Sequence, residues 1–479
     1  MLSHTVPEAV RRGSVRRIHL IAICGVGMGA LAGMLKQRGY TVSGSDEKVY
    51  PPMSTLLARL GIPIRQGFRA ENLRDRPDLV VVGNKVSRTN PEVEALLASG
   101  VPYVSLPQAL AELFITDHRS LVVAGTHGKT TSTALLAWVL EQAGRDPSLM
   151  VGGAALNFDG NYKLGGGEIF VIEGDEYDTA FFDKEPKFLH YQPQALLLTS
   201  VEFDHADIYR DLEDVKEAFS RLVAILPPLA PLVVASDFPH ACDVAKRHRT
   251  AVTFGLGGDW QAVNLRDSGT HTCFDILHRG TMAGAARIRQ PGAINARNAL
   301  GVFAMARALG LTAAEILPGL ASFRGVARRQ EVVGEFRGVT LVDDFAHHPT
   351  AIDGVLAALR LRYPHRRLWA VFEPRSNTSR RKVFQREYAA AFGGAEQVIV
   401  SAVFHKPGDP VPAAERFSSA QLAADLRARG VAARALSGAD TIKATLAKET
   451  RPGDVIVLLS NGDFGGLRNK LVAALGAGG

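Results

Sequence analysis

The residues with the clearest chemical potential lie at 121–140, in the stretch LVVAGTHGKTTSTALLAWVL. An apolar run typical of a buried strand passes through two glycines and a lysine into an apolar run typical of a helix. Glycines let backbone N–H groups close around phosphate oxygens, and a helix N-terminus adds partial positive charge. Lys129 could reach the outer phosphates, and the Thr130 hydroxyl could bind a magnesium ion. The stretch therefore predicts a nucleotide phosphate site.

This loop is shorter than the usual P-loop, in which four residues separate the two glycines. Val123 occupies the position five before Gly128, so the first glycine of the loop is Gly125. A glycine turn with an incidental lysine is the alternative interpretation. We assign phosphate binding to the whole loop, which comprises Gly125, Thr126, His127, Gly128, Lys129, Thr130 and Thr131.

Two acidic clusters follow two apolar runs downstream of the loop, at 169–172 and 196–199. The clusters contain Glu173, Asp175, Glu176 and Asp178, and Glu202, Asp204, His205 and Asp207. Parallel strands would bring both clusters to the sheet edge that holds the phosphate loop. Carboxylates beside a triphosphate repel it unless cations intervene, so we expect Mg²⁺. Glu173 and His205, which are nearest the strand ends, are the expected ligands together with Thr130; exposed polar loops are the alternative.

A second glycine turn, CGVGMGALAG, precedes a helix near the start of the chain. It departs from G-x-G-x-x-G, since its glycines are Gly25, Gly27 and Gly29. The functional interpretation is that the turn binds a pyrophosphate while Asp46, at the end of the second strand, binds a ribose or base. The alternative is close packing of helix on strand beside a solvated aspartate.

The composition indicates a globular chain and limits its partners. A length of 479 residues with 46% hydrophobic content suggests about three domains. The net charge of +7 is modest and basic residues are scattered among acids, so anionic small molecules are expected as partners rather than nucleic acid or a membrane. The cysteines Cys24, Cys242 and Cys273 are far apart, which favours neither a disulfide framework nor a zinc site and fits a cytoplasmic location.

Strand-like and helix-like runs alternate along the chain, which predicts a parallel α/β architecture. We expect a Rossmann-like domain at 1–117, with a loose tail before Ser14, a central ATP-binding domain at 118–325 and a C-terminal domain at 326–479. Strands are predicted at 18–24, 41–45, 79–82, 169–172, 196–199, 368–372, 397–400 and 455–459, and a helix at 295–309.

Together, these motifs resemble those of the Mur ligase family, ATP-dependent amide-forming enzymes of peptidoglycan assembly. The resemblance rests on GTHGKTT, on VIEGDEYD with Glu173, EFDHAD with His205, INARNAL with Asn295 and Asn298, GVARR, and DDFAHHP with Asp344, His347 and His348. It implies a Rossmann-like N-terminal domain for the UDP moiety, a central P-loop ATPase-like α/β domain, and a Rossmann-like C-terminal domain that delivers the amino substrate.

The resemblance also implies roles for single residues. It assigns catalysis to Lys129, Glu173 and His205, through phosphorylation of a carboxylate by ATP and attack of an amine on the acyl phosphate. For ATP, it further implies that Asn295 binds adenine, Asp344 the ribose and Arg328 a phosphate. For the other substrates, it implies that the UDP-sugar is bound by His127, Gly25, Gly27 and Asp46, and the acceptor by His348.

Within the family, the chain is similar to members that recycle a murein tripeptide. The motifs that carry this likeness are VYPPMSTLL, DEYDTAFFDKEPKF, FEPRSNT and LSNGDFGG. They imply UDP-N-acetylmuramate and L-Ala-γ-D-Glu-meso-diaminopimelate as substrates, with Arg375 gripping an acceptor carboxylate. Arg380 to Lys382 are expected to be a solvated helix start. The alternative is a ligase that adds free L-alanine.

The sequence departs from the family pattern at two places, and three other functions are alternatives to a ligase. Phe219 and Ser220 occupy the region in which some relatives carry a carbamylated lysine, so no carbamate is expected and Lys216 is predicted to be solvated. Asp463 replaces a glycine that is frequent in similar relatives, without a physical account from sequence. A nicotinamide-dependent oxidoreductase is one alternative function, but it leaves GTHGKTT and both acidic clusters unexplained. A nucleic-acid motor is a second, but it needs a longer loop and a basic channel. A non-catalytic binding protein is the third, and it would show no substrate-dependent phosphate release.

Overall fold

The computed structural model describes residues 14–49, 53–405 and 411–476. The predicted tail before Ser14 and part of VYPPMSTLL, residues 50–52, lie outside the described residues. The chain forms two compact units, one of residues 14–202, 212–259 and 301–319 and the other of residues 203–211, 260–300 and 320–476. Among the described helices, none has both the length and the apolarity needed to cross a membrane.

The first unit begins with a five-stranded parallel sheet of order β3-β2-β1-β4-β5. Its strands are β1 (Arg17–Ile21), β2 (Thr41–Asp46), β3 (Ile64–Gln66), β4 (Leu79–Val82) and β5 (Tyr103–Ser105). Its helices are α1 (Val26–Gln37), α2 (Met53–Arg59), α3 (Pro91–Ser99) and α4 (Leu106–Leu110). The strand order is that of a Rossmann fold, in which ligands bind at the carboxyl ends of the strands. Strand β1 ends before the predicted Cys24 because the chain turns at Ala22, whose φ is 67°.

The same unit contains a second run of strands in the order β8-β7-β9-β6-β10-β11-β12. These are β6 (Arg119–Ala124), β7 (Ser148–Ala155), β8 (Gly160–Lys163), β9 (Ile169–Gly174), β10 (Ala195–Leu198), β11 (Leu232–Ala235) and β12 (Ala251–Phe254), with helices α5 (Lys129–Gln142), α6 (Leu212–Ala224) and α7 (Pro239–Ala245). Strand β6 pairs in parallel with both β9 and β10. The three carboxyl ends therefore share one edge, as the sequence predicted.

The second unit contains an antiparallel set, β13 (Trp260–Asp267), β14 (Thr272–His278) and β15 (Thr281–Ile288). Helices α8 (Ala293–Ala308) and α9 (Ala313–Ser322) follow in the sequence, and their residues 301–308 and 313–319 belong to the first unit. A six-stranded sheet then has the order β16-β17-β21-β18-β19-β20, parallel except for β16. Its strands are β16 (Glu331–Phe336), β17 (Val339–Asp344), β18 (Leu368–Phe372), β19 (Gln397–Ser401), β20 (Ala432–Leu436) and β21 (Val455–Leu459). Its helices are α10 (Pro349–Arg362), α11 (Gln385–Ala391), α12 (Ser419–Ala428), α13 (Gly438–Glu449) and α14 (Leu467–Gly476).

Two apolar cores lie on the two faces of this sheet. Phe372 packs with Tyr388 and Phe392 in one core, whereas Trp369 packs with Ile442 in the other. Successive residues of β18 alternate between the cores, because a strand points its side chains to both faces in turn. This burial on both faces explains why β18 is a continuous apolar run in the sequence.

Two expectations about solvated residues are wrong. Arg380 is buried, because its Nη2 donates to Asn377 Oδ1 at 2.8 Å while its carbonyl accepts from Phe417 N at 2.9 Å. Of the basic run after FEPRSNT, Lys382 is exposed and begins a short 3₁₀ helix, Lys382–Phe384. Lys216 is only 23% exposed and pairs with Glu213 at 2.9 Å.

Candidate active site

The phosphate loop connects β6 to α5 through glycines that no other residue can replace without strain. Gly125 has φ 137°, and a Cβ there would lie 2.3 Å from Thr199 Oγ1 and 2.7 Å from the Ser200 nitrogen. Gly128 is the N-cap of α5 with φ 80°. Both φ values lie in the region where glycine alone is unstrained, so the loop needs glycine at both positions.

The segment after β10 holds the loop in place. Ser200 accepts hydrogen bonds from Thr126 N at 3.1 Å, through its carbonyl, and from His127 N at 2.7 Å, through its hydroxyl. Thr199 Oγ1 donates to the His127 carbonyl at 2.5 Å. Sequence reasoning missed Thr199 and Ser200, although two hydroxyl residues directly after a buried strand were the available signal. The loop is therefore preorganised by its neighbouring strand.

Lys129 is a half-buried lysine that lies among several acids. Its Nζ donates to Glu176 Oε2 at 2.8 Å and to the Gly125 carbonyl at 2.5 Å. Burial alone would lower the pKa of Lys129, but the carboxylates of Glu176 and then Asp175 outweigh it and raise the pKa. The sequence placed Glu176 in the acidic cluster without predicting this pair.

Glu173 lies beside the first turn of α5. Thr130 Oγ1 donates to Glu173 Oε1 at 2.8 Å, and Gly152 N donates to Oε2 at 2.6 Å. Burial and the neighbouring Asp175 carboxylate raise the pKa of Glu173. The structure thus brings together two of the three predicted magnesium ligands. Oxygen donors in a region of excess negative charge fit a hard divalent cation such as Mg²⁺.

His127 is held by an acid of the second cluster. Its Nε2 lies 2.8 Å from Glu202 Oε2, and its side chain is 9% exposed. Glu202 in turn donates its backbone N–H to Thr126 Oγ1 at 2.9 Å. The ring orientation is therefore fixed relative to the phosphate loop.

Hydrogen bonds to Asp46 hold the start of the glycine turn at residues 25–29. The Asp46 carboxylate accepts from Cys24 N at 2.9 Å and from Lys48 N at 3.1 Å. A Cβ at Gly27 would meet Leu106 Cδ1 at 3.2 Å. Asp46 thus secures the turn instead of being merely solvated, and close packing explains part of the need for glycine.

A cavity of about 150 Å³ connects the glycine turn with Glu173. It is lined by Val26, Gly27, Leu106, Met150, Val151, Gly152, Ile172, Glu173, Asp175, Tyr177, Lys187 and Tyr191. The lining includes the apolar side chains of Leu106, Met150 and Ile172 and the charged side chains of Glu173, Asp175 and Lys187. Sequence reasoning did not assign a role to Lys187 or to the two tyrosines.

In the second unit, Asp204 and His205 begin a segment packed against the FEPRSNT motif. Ala206 N donates to Thr378 Oγ1 at 3.2 Å. Asp204 is 3.9 Å from His347 Nε2 and accepts from the His205 nitrogen at 2.7 Å. His348 Nε2 lies 3.3 Å from the Phe203 carbonyl and its Nδ1 accepts from Thr350 N at 3.3 Å.

Asn295 and Asp344, both expected at ATP, are joined through Gln330. Asn295 Nδ2 donates to Gln330 Oε1 at 3.0 Å, and Gln330 N donates to Asp344 Oδ2 at 2.7 Å. The Arg328 guanidinium donates to the carbonyls of Ser460 at 2.7 Å and Gly462 at 2.6 Å. Gln330 was missed, because nothing in the sequence marks a glutamine as a link between distant residues.

Arg375 has two acidic partners and an aromatic platform. Its Nη1 lies 3.5 Å from Glu373 Oε1 and 3.4 Å from Asp463 Oδ1. Its guanidinium carbon is 4.0 Å from the centre of the Phe404 ring. Asp463, unexplained from sequence, is therefore an exposed counter-ion of Arg375.

Comparison with known proteins agrees with this geometry. Three domain models match: "Mur ligase family, catalytic domain" at residues 17–118, "Mur ligase middle domain" at 123–306 and "Mur ligase, glutamate ligase domain" at 328–462. The chain is 40% identical to the UDP-N-acetylmuramate–L-alanyl-gamma-D-glutamyl-meso-2,6-diaminoheptandioate ligase of Escherichia coli K12, over 96% of this chain and 98% of that protein.

Two solved structures are similar over nearly the whole chain. A murein peptide ligase from Psychrobacter arcticus is 32% identical with a TM-score of 0.71, covering 96% of this chain and 99% of that chain. A UDP-N-acetylmuramate-alanine ligase from Thermotoga maritima is 25% identical with a TM-score of 0.78, covering 95% and 98%.

The chain therefore belongs to the Mur ligase family and has its three-domain α/β architecture. It is an ATP-dependent, ADP-forming ligase of peptidoglycan metabolism that makes C–N bonds. Its sequence identity to the tripeptide ligase of Escherichia coli is 40%, against 34% to an alanine ligase from Syntrophus aciditrophicus. The oxidoreductase alternative is thereby set aside.

Proposed function

We propose that this enzyme joins the lactyl carboxylate of UDP-N-acetylmuramate to the alanine amine of L-Ala-γ-D-Glu-meso-diaminopimelate, in peptidoglycan recycling in the cytoplasm. The observation that carries the proposal is the 40% identity, over 96% of the chain, to a relative named for that reaction. The fixed Arg375, beside a C-terminal-domain strand end, supports a carboxylate-rich acceptor.

The proposed reaction has two steps. The γ-phosphoryl group of ATP passes to the lactyl carboxylate, giving an acyl phosphate and ADP. The uncharged alanine amine then attacks the acyl carbon, an amide bond forms, phosphate leaves, and a proton is released from the amine. Activation by ATP is needed because a carboxylate is otherwise inert toward amines.

The phosphate loop supplies positioning and charge for the first step. Lys129, held at the start of α5, stabilises negative charge on the transferring group. Thr130, Glu173 and His205 would hold Mg²⁺, which supplies further neutralisation of phosphate charge when bound. Glu176 holds Lys129 at the start of α5, and the Gly152 N–H holds the Glu173 carboxylate beside it.

The remaining site residues are assigned to the substrates. Asn295 would contact adenine, Asp344 the ATP ribose and Arg328 a phosphate. The UDP-sugar would bind at the turn formed by Gly25 and Gly27 with Asp46, while His127 orients the sugar. Arg375 and His348 would contact the acceptor. We retain 1–117, 118–325 and 326–479 as the proposed boundaries of these three functions.

A ligase specific for free L-alanine is the second candidate, because the Thermotoga alanine ligase has a TM-score of 0.78. Purified enzyme with ATP, Mg²⁺ and UDP-N-acetylmuramate should be given tripeptide or L-alanine in parallel. Strong preference for the tripeptide is expected. Equal or better turnover of alanine would overturn the recycling assignment and leave the acyl-phosphate chemistry standing.

A further inference from the structure

Lys187 is a cation in the cavity between the glycine turn and Glu173. Among the described residues that line this cavity, it is the only one with a cationic side chain. Its side chain is 14% exposed, and its Nζ lies 3.3 Å from Asp175 Oδ2. The same ammonium lies 4.0 Å from the centre of the Tyr177 ring.

The backbone around Lys187 is rigidly supported. Lys187 N donates to the Tyr177 carbonyl at 3.2 Å, and Phe188 N donates to the Asp175 carbonyl at 3.2 Å. The Phe188 ring is fully buried and lies 5.3 Å from the Phe219 ring. The ammonium is thus presented to the cavity from a fixed position.

Two adjacent acids hold two different lysines. Glu176 pairs with Lys129 of the phosphate loop, whereas Asp175 pairs with Lys187. The proposed reaction brings together two anionic groups, the γ-phosphate of ATP and the carboxylate that it phosphorylates. Lys129 is assigned to the first of these anions, and Lys187 is available for the second.

We propose that Lys187 binds the lactyl carboxylate of the sugar nucleotide and so selects for a substrate that carries it. This inference rests on the proposed function. A cavity of about 150 Å³ suits the small lactyl group better than a whole sugar nucleotide. Leu106, Met150 and Ile172 offer an apolar wall to the lactyl methyl group while Lys187 faces the carboxylate.

The test compares two sugar nucleotides that differ by the lactyl ether. Calorimetric titration of UDP-N-acetylmuramate and UDP-N-acetylglucosamine should be performed on the wild type and on Lys187→Met. We expect Lys187→Met to weaken UDP-N-acetylmuramate binding by about 10-fold or more, as for loss of a charge-assisted hydrogen bond. Binding of UDP-N-acetylglucosamine should stay within about twofold, since that ligand has no carboxylate to lose.

Matched variants separate this role from a structural one. Lys163→Met removes another ion-paired lysine of the same unit, bound to Glu141 and Asp146 outside the cavity lining, and should change neither affinity. Lys187→Arg keeps the charge and should retain most of the preference. Unchanged preference in Lys187→Met overturns the inference and leaves the proposed function standing. No preference for UDP-N-acetylmuramate in the wild type likewise overturns the inference, whereas the proposed function is overturned only by the turnover assay with the two acceptors.

Discussion

Glu173 in the first unit and Asp204 in the second are both shielded carboxylates in acidic motifs, but their pKa values move in opposite directions. Burial and Asp175 raise the pKa of Glu173. Burial alone would also raise the pKa of Asp204, but His205, His347 and His348 lower it below its ordinary value. Neighbouring imidazoles therefore favour the ionised form of Asp204, whereas the burial of Glu173 and the Asp175 carboxylate disfavour its ionised form. Glu173 is therefore the carboxylate that an external cation would stabilise.

The largest expected effect is on phosphate release and comes from removing Lys129, which lies near Glu173 in the first unit. Lys129→Ala should reduce ATP-dependent phosphate release by about 10³-fold or more, in the range found when a preorganised transition-state donor is removed. UDP-N-acetylmuramate binding should remain nearly intact, because it is assigned to the glycine turn. Phosphate release and calorimetric titration measure the two effects, with Lys163→Ala as control. Loss of sugar-nucleotide binding would contradict the domain assignment.

Removing the Asp204 carboxylate should destabilise the fold. Asp204→Asn is expected to lower the free energy of unfolding by about 3 kcal/mol, because the buried carboxylate loses its charge-assisted interactions with the His205 N–H and the neighbouring imidazoles. Since the folded pKa of Asp204 is depressed, its contribution is fully present above the unfolded value near 3.9. The difference between wild type and variant should stay constant down to about pH 4 and begin to shrink below it, because the unfolded chain then takes up a proton that folded Asp204 does not. Denaturant unfolding from pH 7 to pH 3 measures this, and a difference that is constant over the whole range would refute this explanation.

Removing Arg375, which is assigned to the acceptor, should have an intermediate effect on kcat/KM. Arg375→Ala is expected to reduce kcat/KM for the tripeptide by about 1.5 to 3 kcal/mol, the range for a charge-assisted hydrogen bond. Steady-state kinetics with the tripeptide varied measure it. Arg381→Ala is a nearby control, since Arg381 is 3.5 Å from Glu415 and is not assigned to the acceptor. Equal losses in both variants would argue against a specific role for Arg375.

Glu173→Gln should change the unfolding free energy without Mg²⁺ by less than about 1 kcal/mol, in contrast to Asp204→Asn. The reason is that a raised pKa means the ionised form is disfavoured in the folded state. Stabilisation by Mg²⁺ with ADP, seen as a rise in Tm of the wild type, should be reduced in the variant. A large destabilisation of metal-free Glu173→Gln would break the comparison between the two carboxylates.

The smallest expected effect concerns Asp463, which is 75% exposed. Exposed ion pairs contribute at most about 1 kcal/mol, so Asp463→Asn should lower the tripeptide KM by less than about fivefold. The direction follows because Asp463 competes with an acceptor carboxylate for Arg375. Initial rates at low ionic strength measure it, and a rise in KM would show that Asp463 assists acceptor binding instead.

Local patterns made part of this structure predictable. Strands β18 and β21 coincide with their predicted bounds, because burial on both faces produces continuous apolar runs bounded by polar residues. The strand, glycine turn and helix around residues 125–128 were also predictable, since the glycines and Lys129 are contiguous. Ser200 and Gln330 were not, because their hydrogen bonds join residues far apart in sequence. Arg380 was misplaced since a basic run gives no signal of the tertiary contacts that bury it.

The ion pair between Lys129 and Glu176 joins the lysine of the phosphate loop to an internal carboxylate. Under the proposed role of Lys129, an ATP phosphate would compete with Glu176 for the lysine, and the ground-state complex would gain little. As negative charge shifts onto the transferring oxygens, the attraction of Lys129 to the substrate grows while its attraction to Glu176 stays the same. Interaction energy that appears only in the transition state raises kcat without lowering KM. The internal acid thus acts against unproductive tight binding of ATP.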